Sequence, residues 1–201
     1  MAAMRDVIDP AGFEEKFREN IDPWDYDRSP FEAFKRATLL RACGTRPFGR
    51  GLELACAIGA TTQALAPRCL RLTAVDASPT ALAEAARRLA HLPRVTLRRG
   101  ILPGDLPRGP FDLIVASEIL YYLPAADLRR LVSRMAARLA PGGRIVLVHH
   151  LTDFADAAVK PRAAQALAVA AFGRSMRLAY LRNAGRFQAA AFVKGAGPRR
   201  G

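Results

Sequence analysis

Short apolar runs alternate with amphipathic segments along most of this chain. A strand is expected at 51–55, around Leu52-Glu53-Leu54, and a helix follows near 60–67. The succession then repeats: strand 70–75 leads to helix 79–91, strand 94–98 to a proline-rich loop, and strand 111–116 to helix 124–139. In that last helix Leu128, Leu131, Val132, Met135 and Leu139 share one face. Ala140 to Gly143, APGG, should stop it, and the apolar run 143–149 reads as a strand covered on both sides. Upstream, residues 1–30 are polar and broken by Pro10, Pro23 and Pro30. A helix is expected from Pro30 to about Ala42, with Ser29 as its cap and Glu32 in capping-box position. Downstream, Asp156 to Phe172 reads as a helix, and SMRLAYLRN and RFQAAAFVK as strands joined around Asn183-Ala184-Gly185.

Alternating strands and helices make a mostly parallel sheet with helices on both faces. The predicted fold is therefore α/β: a Rossmann-like, mostly parallel seven-stranded sheet with a C-terminal antiparallel hairpin and an N-terminal helical lid. One domain is expected over 1–201, with lid and helix at 1–45, a cofactor-binding core at 46–150, and a C-terminal helix with antiparallel strands at 151–201.

Composition narrows the picture without changing it. The 201 residues are 51% hydrophobic and 24% charged, which suits a soluble globular protein, and no apolar run is long enough for a membrane helix. The N-terminal stretch carries acids and no apolar core, which argues against a secretory signal. Cys43, Cys56 and Cys69 lack close pairing and predict neither a disulfide framework nor a metal site, so a reducing cytoplasm is the expected compartment. The net charge of +13 invites a nucleic-acid reading. Against it, the clusters Arg87-Arg88, Arg98-Arg99 and Arg129-Arg130 fall on different elements, and lysine supplies four of the 31 basic residues. Such a composition points to coding bias rather than to a phosphate-binding stripe.

Candidate chemistry gathers where strands end. In LELACAIGATTQAL a strand turns into a helix, the usual cradle for a nucleotide-like cofactor. The dinucleotide fingerprint wants glycine at offsets one, three and six. Counted from Ala55, those positions hold Ala55, Ala57 and Ala60. The alternative pattern, an acid two residues ahead and small residues at offsets one, three and five, is met by Glu53, Ala55, Ala57 and Gly59. That pattern resembles the loop of S-adenosylmethionine-dependent enzymes, whose cofactor has no phosphate to cradle. Alanine is tolerable there at negative φ, whereas Gly59 suits a positive φ or a close approach. Asp76 ends the next strand 21 residues after Ala55, near the spacing of a carboxylate that accepts a ribose diol. Ser78, just before Pro79, is the better helix cap and leaves Asp76 free. Ser117-Glu118 and His149 end two further strands, and open α/β sheets bind ligands at such ends.

LELACAIGATTQALA, LTAVDAS, GPFDLIVASEILYYL and LAPGGRIVLVHH together resemble the class I methyltransferases. The front segment IDPWDYDRSPFEAFKRATLL resembles more narrowly the NodS-like group, related to the nodulation N-methyltransferase of chitin oligosaccharide signals. The resemblance runs from about Asp22 to Val193 and implies S-adenosyl-L-methionine as cofactor. It also implies a small-molecule acceptor, an amino sugar or chitooligosaccharide-like amine. The competing readings are O-methylation of a small metabolite and a basic, non-catalytic binding protein on the same scaffold. The expected cofactor residues are Trp24, Arg36, Glu53, Ala55, Cys56, Ala57, Gly59, Asp76, Ala77, Gly100, Ile101, Ser117 and Glu118. His149 and Glu118 are the candidates for proton transfer, with Tyr121, Tyr122 and His149 lining the acceptor pocket and His150 facing away. Lys35 or Arg36 could meet the cofactor carboxylate. RRGILPGDLP lacks the acid that many class I enzymes place after the third strand, so adenine is expected on backbone groups near Arg99, Gly100 and Ile101.

Overall fold

The computed structural model describes residues 7–196, so both extreme ends of the expected domain 1–201 lie outside the described residues. Helices α1 (Pro10–Glu19) and α2 (Pro30–Cys43) precede the sheet. Strands β1 (Phe48–Leu54), β2 (Cys69–Asp76), β3 (Val95–Arg99), β4 (Phe111–Ser117) and β5 (Leu139–His150) are parallel neighbours in the sheet. Strands β6 (Met176–Asn183) and β7 (Phe187–Lys194) add an antiparallel hairpin through the β5–β7 pairing. The order is β3-β2-β1-β4-β5-β7-β6. Helices α3 (Ala60–Leu65), α4 (Pro79–Leu89), α5 (Ala125–Arg138) and α6 (Pro161–Gly173) join β1 to β2, β2 to β3, β4 to β5 and β5 to β6, while β3 returns to β4 through a loop.

The alternating faces of the strands separate two apolar layers. Leu54, Ile114, Ala116, Ile145 and Leu147 pack with Leu128, Leu131 and Met135 of α5 and with Ala164, Ala168 and Phe172 of α6. Leu72, Leu113, Val115, Val146 and Val148 pack on the other face with Leu39, Ala42 and Cys43 of α2. Each fully buried aliphatic side chain contributes about 1.5–3 kcal/mol of transfer free energy. Continuous burial along β4 explains why FDLIVAS shows no polar alternation.

Three boundaries differ from the sequence expectation. Pro10, expected to break structure, is the first residue of α1: Asp9 caps the helix by accepting from the Gly12 N–H at 2.8 Å. The APGG segment does not end a helix in a loop. The helix has already stopped at Arg138, and Ala140 to Gly143 form an irregularity inside β5, where the pairing with β4 shifts register. The C-terminal helix begins at Pro161 rather than Asp156, because proline is tolerated in the first turn and not in a helix interior.

The chain turns one way from β1 to β2 and the other way to β4. The carboxyl ends of β1 and β4 therefore part at a topological switch point, where a crevice opens.

Candidate active site

A cavity of about 460 Å³ fills that crevice. Its floor is the bend after β1. Ala55 and Ala57 both have positive φ, 55° and 48°, and Gly59 follows at 79°. The expectation of negative φ at the two alanines is therefore corrected, and each costs about 1–2 kcal/mol relative to an ordinary conformation. Tertiary hydrogen bonds hold the bend in place. The Cys56 N–H donates to Val75 O at 3.0 Å, and the Ala57 N–H donates to Asp76 Oδ2 at 2.8 Å. Gly59 does not line the cavity. A Cβ there would meet Leu89 Cδ1 at 3.0 Å and Ala85 Cβ at 3.2 Å, so its small size seats the bend against α4 from behind.

Asp76 is not left free by Ser78. Ser78 caps α4 by accepting from the Ala81 N–H, while its own N–H donates to Asp76 Oδ1 at 2.9 Å. Each carboxylate oxygen thus accepts from one of these backbone N–H groups and keeps acceptor capacity, and Asp76 lines the cavity with Ala77. Burial pushes the Asp76 carboxyl above its ordinary value, against the amides that favour its charged form. Glu53 lies deeper. It is buried, its Oε2 has no hydrogen-bond partner among the described residues, and desolvation raises its pKa to about 8. Gly100 and Ile101 line the cavity, but their amides are occupied. The Gly100 N–H donates to Asp76 O at 2.9 Å and the Ile101 N–H to Asp105 Oδ2 at 2.8 Å, so of the backbone groups expected to meet a base these two N–H groups already have partners.

The roof comes from the N-terminal segment. Trp24 contacts Phe17 edge-on at 5.6 Å, lies 6.3 Å from Phe13 and stands 5.8 Å from Tyr26, and all four rings line the cavity. Tyr122 meets Phe13 edge-on at 4.8 Å. Glu14 pins α1 to the start of α4, accepting from Ser78 Oγ and Thr80 Oγ1 at 2.6 Å each and from the Thr80 N–H at 3.1 Å. Asp27 takes a two-point ion pair from Arg88 at 2.6 Å on each oxygen. Arg36 lines the cavity and donates to Tyr26 O at 3.2 Å.

The far wall is charged. Glu118 stands after β4 at φ 56° and accepts from the Tyr121 hydroxyl and from the His150 N–H at 3.1 Å. Lys35 lies between Glu32 Oε1 at 2.8 Å and Glu118 Oε1 at 3.4 Å. Ser117, Tyr121 and Cys56 also face the cavity. His149 does not. It is fully buried, its Nδ1 lies 2.9 Å from Gln165 Oε1, and its Nε2 accepts from the Leu120 N–H at 3.3 Å. Both ring nitrogens are committed, so His149 is corrected from a proton-transfer candidate to a packing residue. His150, expected to face away, lines the cavity instead. Sequence reasoning also passed over Phe13, Phe17, Tyr26, Glu32, Phe154 and Asp156. The unread Asp-Pro start of α1 was the available signal for Phe13 and Phe17.

A methyltransferase domain model matches residues 52–145. The chain is 39% identical over 127 residues to nodulation protein S of Rhizobium tropici, a match covering 62% of this chain and 53% of that protein. Across the first three such relatives the chain spans 53%, 59% and 61% of their length. The crystal structure of the N-methyltransferase NodS from Bradyrhizobium japonicum WM9 with S-adenosyl-l-homocysteine superposes with a TM-score of 0.77 at 26% identity, covering 90% of this chain and 97% of that one. A protein from Pseudomonas syringae assigned to the methyltransferases is 32% identical, with a TM-score of 0.71 and coverage of 82% and 99%. The chain belongs to the class I methyltransferase family and is similar to its NodS-like members.

Proposed function

We propose that this protein methylates a small amine, with S-adenosyl-L-methionine as methyl donor. One observation carries the choice of an amine. Five carboxyl groups line the cavity (Glu32, Asp76, Glu118, Asp156 and Glu53, the last held protonated at pH 7 by burial) against the basic side chains of Lys35 and Arg36, in a chain of net charge +13. An acidic, aromatic-walled cavity within a basic molecule favours cations, both a sulfonium and an ammonium. A neutral hydroxyl acceptor gains nothing from that charge. The resemblance to nodulation N-methyltransferases supports an amino sugar as the acceptor body, and the Trp24, Tyr26 and Tyr122 rings offer faces for it.

The residues present fit the cofactor. The unpartnered, buried Oε2 of Glu53 suits an ammonium, and the remaining lone pairs of Asp76 suit a ribose diol. Leu102, Ile101 and Val75 offer apolar contact to a base. When bound, the cofactor supplies a methyl on positively charged sulfur. The protein's task is to align the acceptor with it and to exclude water, and such positioning is worth about 7–11 kcal/mol. Lys35, Glu32 and Glu118 form the wall against which an acceptor nitrogen is oriented.

The three free cysteines are buried, which supports a reducing compartment such as the cytoplasm. Among the described residues no helix is long and apolar enough to cross a membrane. Calorimetry with S-adenosylmethionine and S-adenosylhomocysteine tests the cofactor site. Asp76→Ala should weaken both by about 1–3 kcal/mol, through loss of a charge-assisted partner. Unchanged affinity would remove Asp76 from the site. A panel of glucosamine, amine-terminated chitooligosaccharides and their hydroxyl analogues tests the acceptor. Turnover confined to the hydroxyl compounds would overturn the amine reading.

A further inference from the structure

An amine enters a cavity at neutral pH as an ammonium and must lose a proton before its nitrogen can attack. Apart from the carboxyl groups, which pair with cations, hold backbone N–H groups or, at Glu53, are already protonated, the cavity side chains that could receive that proton are few. Burial holds the phenols of Tyr26, Tyr121 and Tyr122 protonated, shifting each pKa upward. Both nitrogens of His149 are engaged away from the cavity. His150 differs on each count. Its ring lines the cavity, its side chain is 25% exposed, and neither ring nitrogen makes a hydrogen bond among the described residues. Phe31 packs against it edge-on at 5.4 Å and fixes its plane.

The surroundings of that ring are built for a transient positive charge. Glu118 Oε2 lies 3.8 Å from Nδ1, while Oε1 accepts the backbone N–H of His150 itself. The left-handed backbone of Glu118 turns this carboxylate toward the end of β5, a conformation that costs a non-glycine residue about 1–3 kcal/mol. From α2, Glu32 adds negative charge and Lys35 positive charge; from the β6–β7 turn, Arg186 adds positive charge. Desolvation, above all, and the two cations oppose charging of the ring, and the two carboxylates favour it. The balance leaves His150 below the ordinary histidine value, hence neutral and able to accept a proton at pH 7.

Resting on the amine reading above, we propose that His150 accepts the proton of the acceptor ammonium, with Glu118 as the positioning residue that stabilises the imidazolium. The N–H bond of the ammonium breaks and its proton goes to a ring nitrogen of His150. The freed lone pair then forms the new N–C bond as the C–S bond breaks, and that electron pair goes to sulfur. The products are a thioether, an N-methylammonium and an imidazolium, which returns its proton to water. Two positive charges enter and two leave.

The test uses the full chain loaded with S-adenosylhomocysteine for spectroscopy and with S-adenosylmethionine for turnover, with an amine-terminated chitobiose as the acceptor probe. By NMR the His150 ring should titrate below pH 6.5, and Glu118→Gln should lower its pKa further. His150→Gln should bind S-adenosylhomocysteine as the wild type does, showing that the fold is intact. Its kcat at pH 7 should fall about 10²–10⁴-fold. That loss should shrink about tenfold per pH unit toward the pKa of the free amine, and imidazole should partly rescue His150→Ala. Wild-type kcat and pH profile in His150→Gln would overturn the proposal, as would a His150 ring that ignores Glu118→Gln. Failure of the wild type to methylate this probe or glucosamine would instead count against the amine acceptor, while the ring titration still decides whether the pair is coupled as described.

Discussion

His149 and His150 are neighbours with opposite fates, and alternation along β5 accounts for both. A strand sends adjacent side chains to opposite faces, so the sequence establishes that one histidine meets the cavity and the other does not. It does not establish which. That depends on α6, whose Gln165 takes the Nδ1 of His149 and whose start lies five residues later than the sequence suggests. His149→Leu should destabilise the fold by about 1–3 kcal/mol in urea titrations, because Gln165 and the Leu120 N–H lose a buried partner. Desolvation lowers the His149 pKa from 6.5 to about 4. The unfolded chain therefore binds a proton more readily than the fold between those values. The contribution, of order 3 kcal/mol for this fully buried ring, is complete above pH 6.5 and is lost as pH falls toward 4. Stability curves of wild type and His149→Leu should diverge above that window and converge below it. Glu53 has the opposite sign. Its pKa of about 8 leaves it protonated at pH 7 when no cation pairs with it, and the associated stability, complete below pH 4.5, is lost progressively as pH rises from 4.5 through 8. Pairing with an ammonium favours the carboxylate, so S-adenosylmethionine binding at pH 7 should release a proton. Calorimetry in buffers of different ionisation enthalpy would detect it, and the release should vanish in Glu53→Gln. The acid itself was readable in LELACA; its protonation was not, because that follows from burial.

At the scale of elements, most of the sheet could be read from periodicity, since apolar strands and amphipathic helices alternate with little interruption. The lid was read in part. Ser29-Pro30 identified α2, while the equivalent Asp9-Pro10 start of α1 was obscured by polar surroundings, since α1 exposes half of its residues and buries Phe17 alone. What holds α1 is a tertiary contact that no local pattern announces, the carboxylate of Glu14 on the hydroxyls of Ser78 and Thr80. Those bonds lower its pKa from 4.5 to about 2. The attachment is therefore complete above pH 4.5 and is lost as pH falls toward 2. Glu14→Ala should detach the helix at neutral pH. Amide exchange across 10–19 should accelerate while the strands β1, β4 and β5 keep their protection, and bound S-adenosylhomocysteine should dissociate faster. Uniform acceleration through the sheet would mean that α1 is part of the folding core rather than a cover. Loop geometry was the other limit on reading. The positive φ at Ala55 and Ala57 is imposed by Val75 O and Asp76 from the adjacent strand, and no rule based on residue type expects it at alanine.

At the scale of the molecule, two fields of opposite sign are superposed. The chain as a whole carries +13, while the cavity lining is acidic. The long-range field repels a cation approaching through solvent, and it is screened over about 10 Å at 0.1 M salt. The field inside the cavity is short-ranged and little affected by salt. For an ammonium acceptor, kcat/KM should therefore rise as salt increases from about 20 to 150 mM, with kcat unchanged. An anionic acceptor would show a fall over the same range. A nucleic acid held by surface arginines would show a steeper one, about 10³–10⁵-fold in affinity between 50 and 200 mM for a site of six to ten phosphates. Competition between salt and each ligand class thus separates the three readings by sign as well as by size. A rise would mean that the basic exterior has no part in capturing the acceptor, and that selection begins only where Glu32, Glu118 and Asp156 take over from the bulk charge.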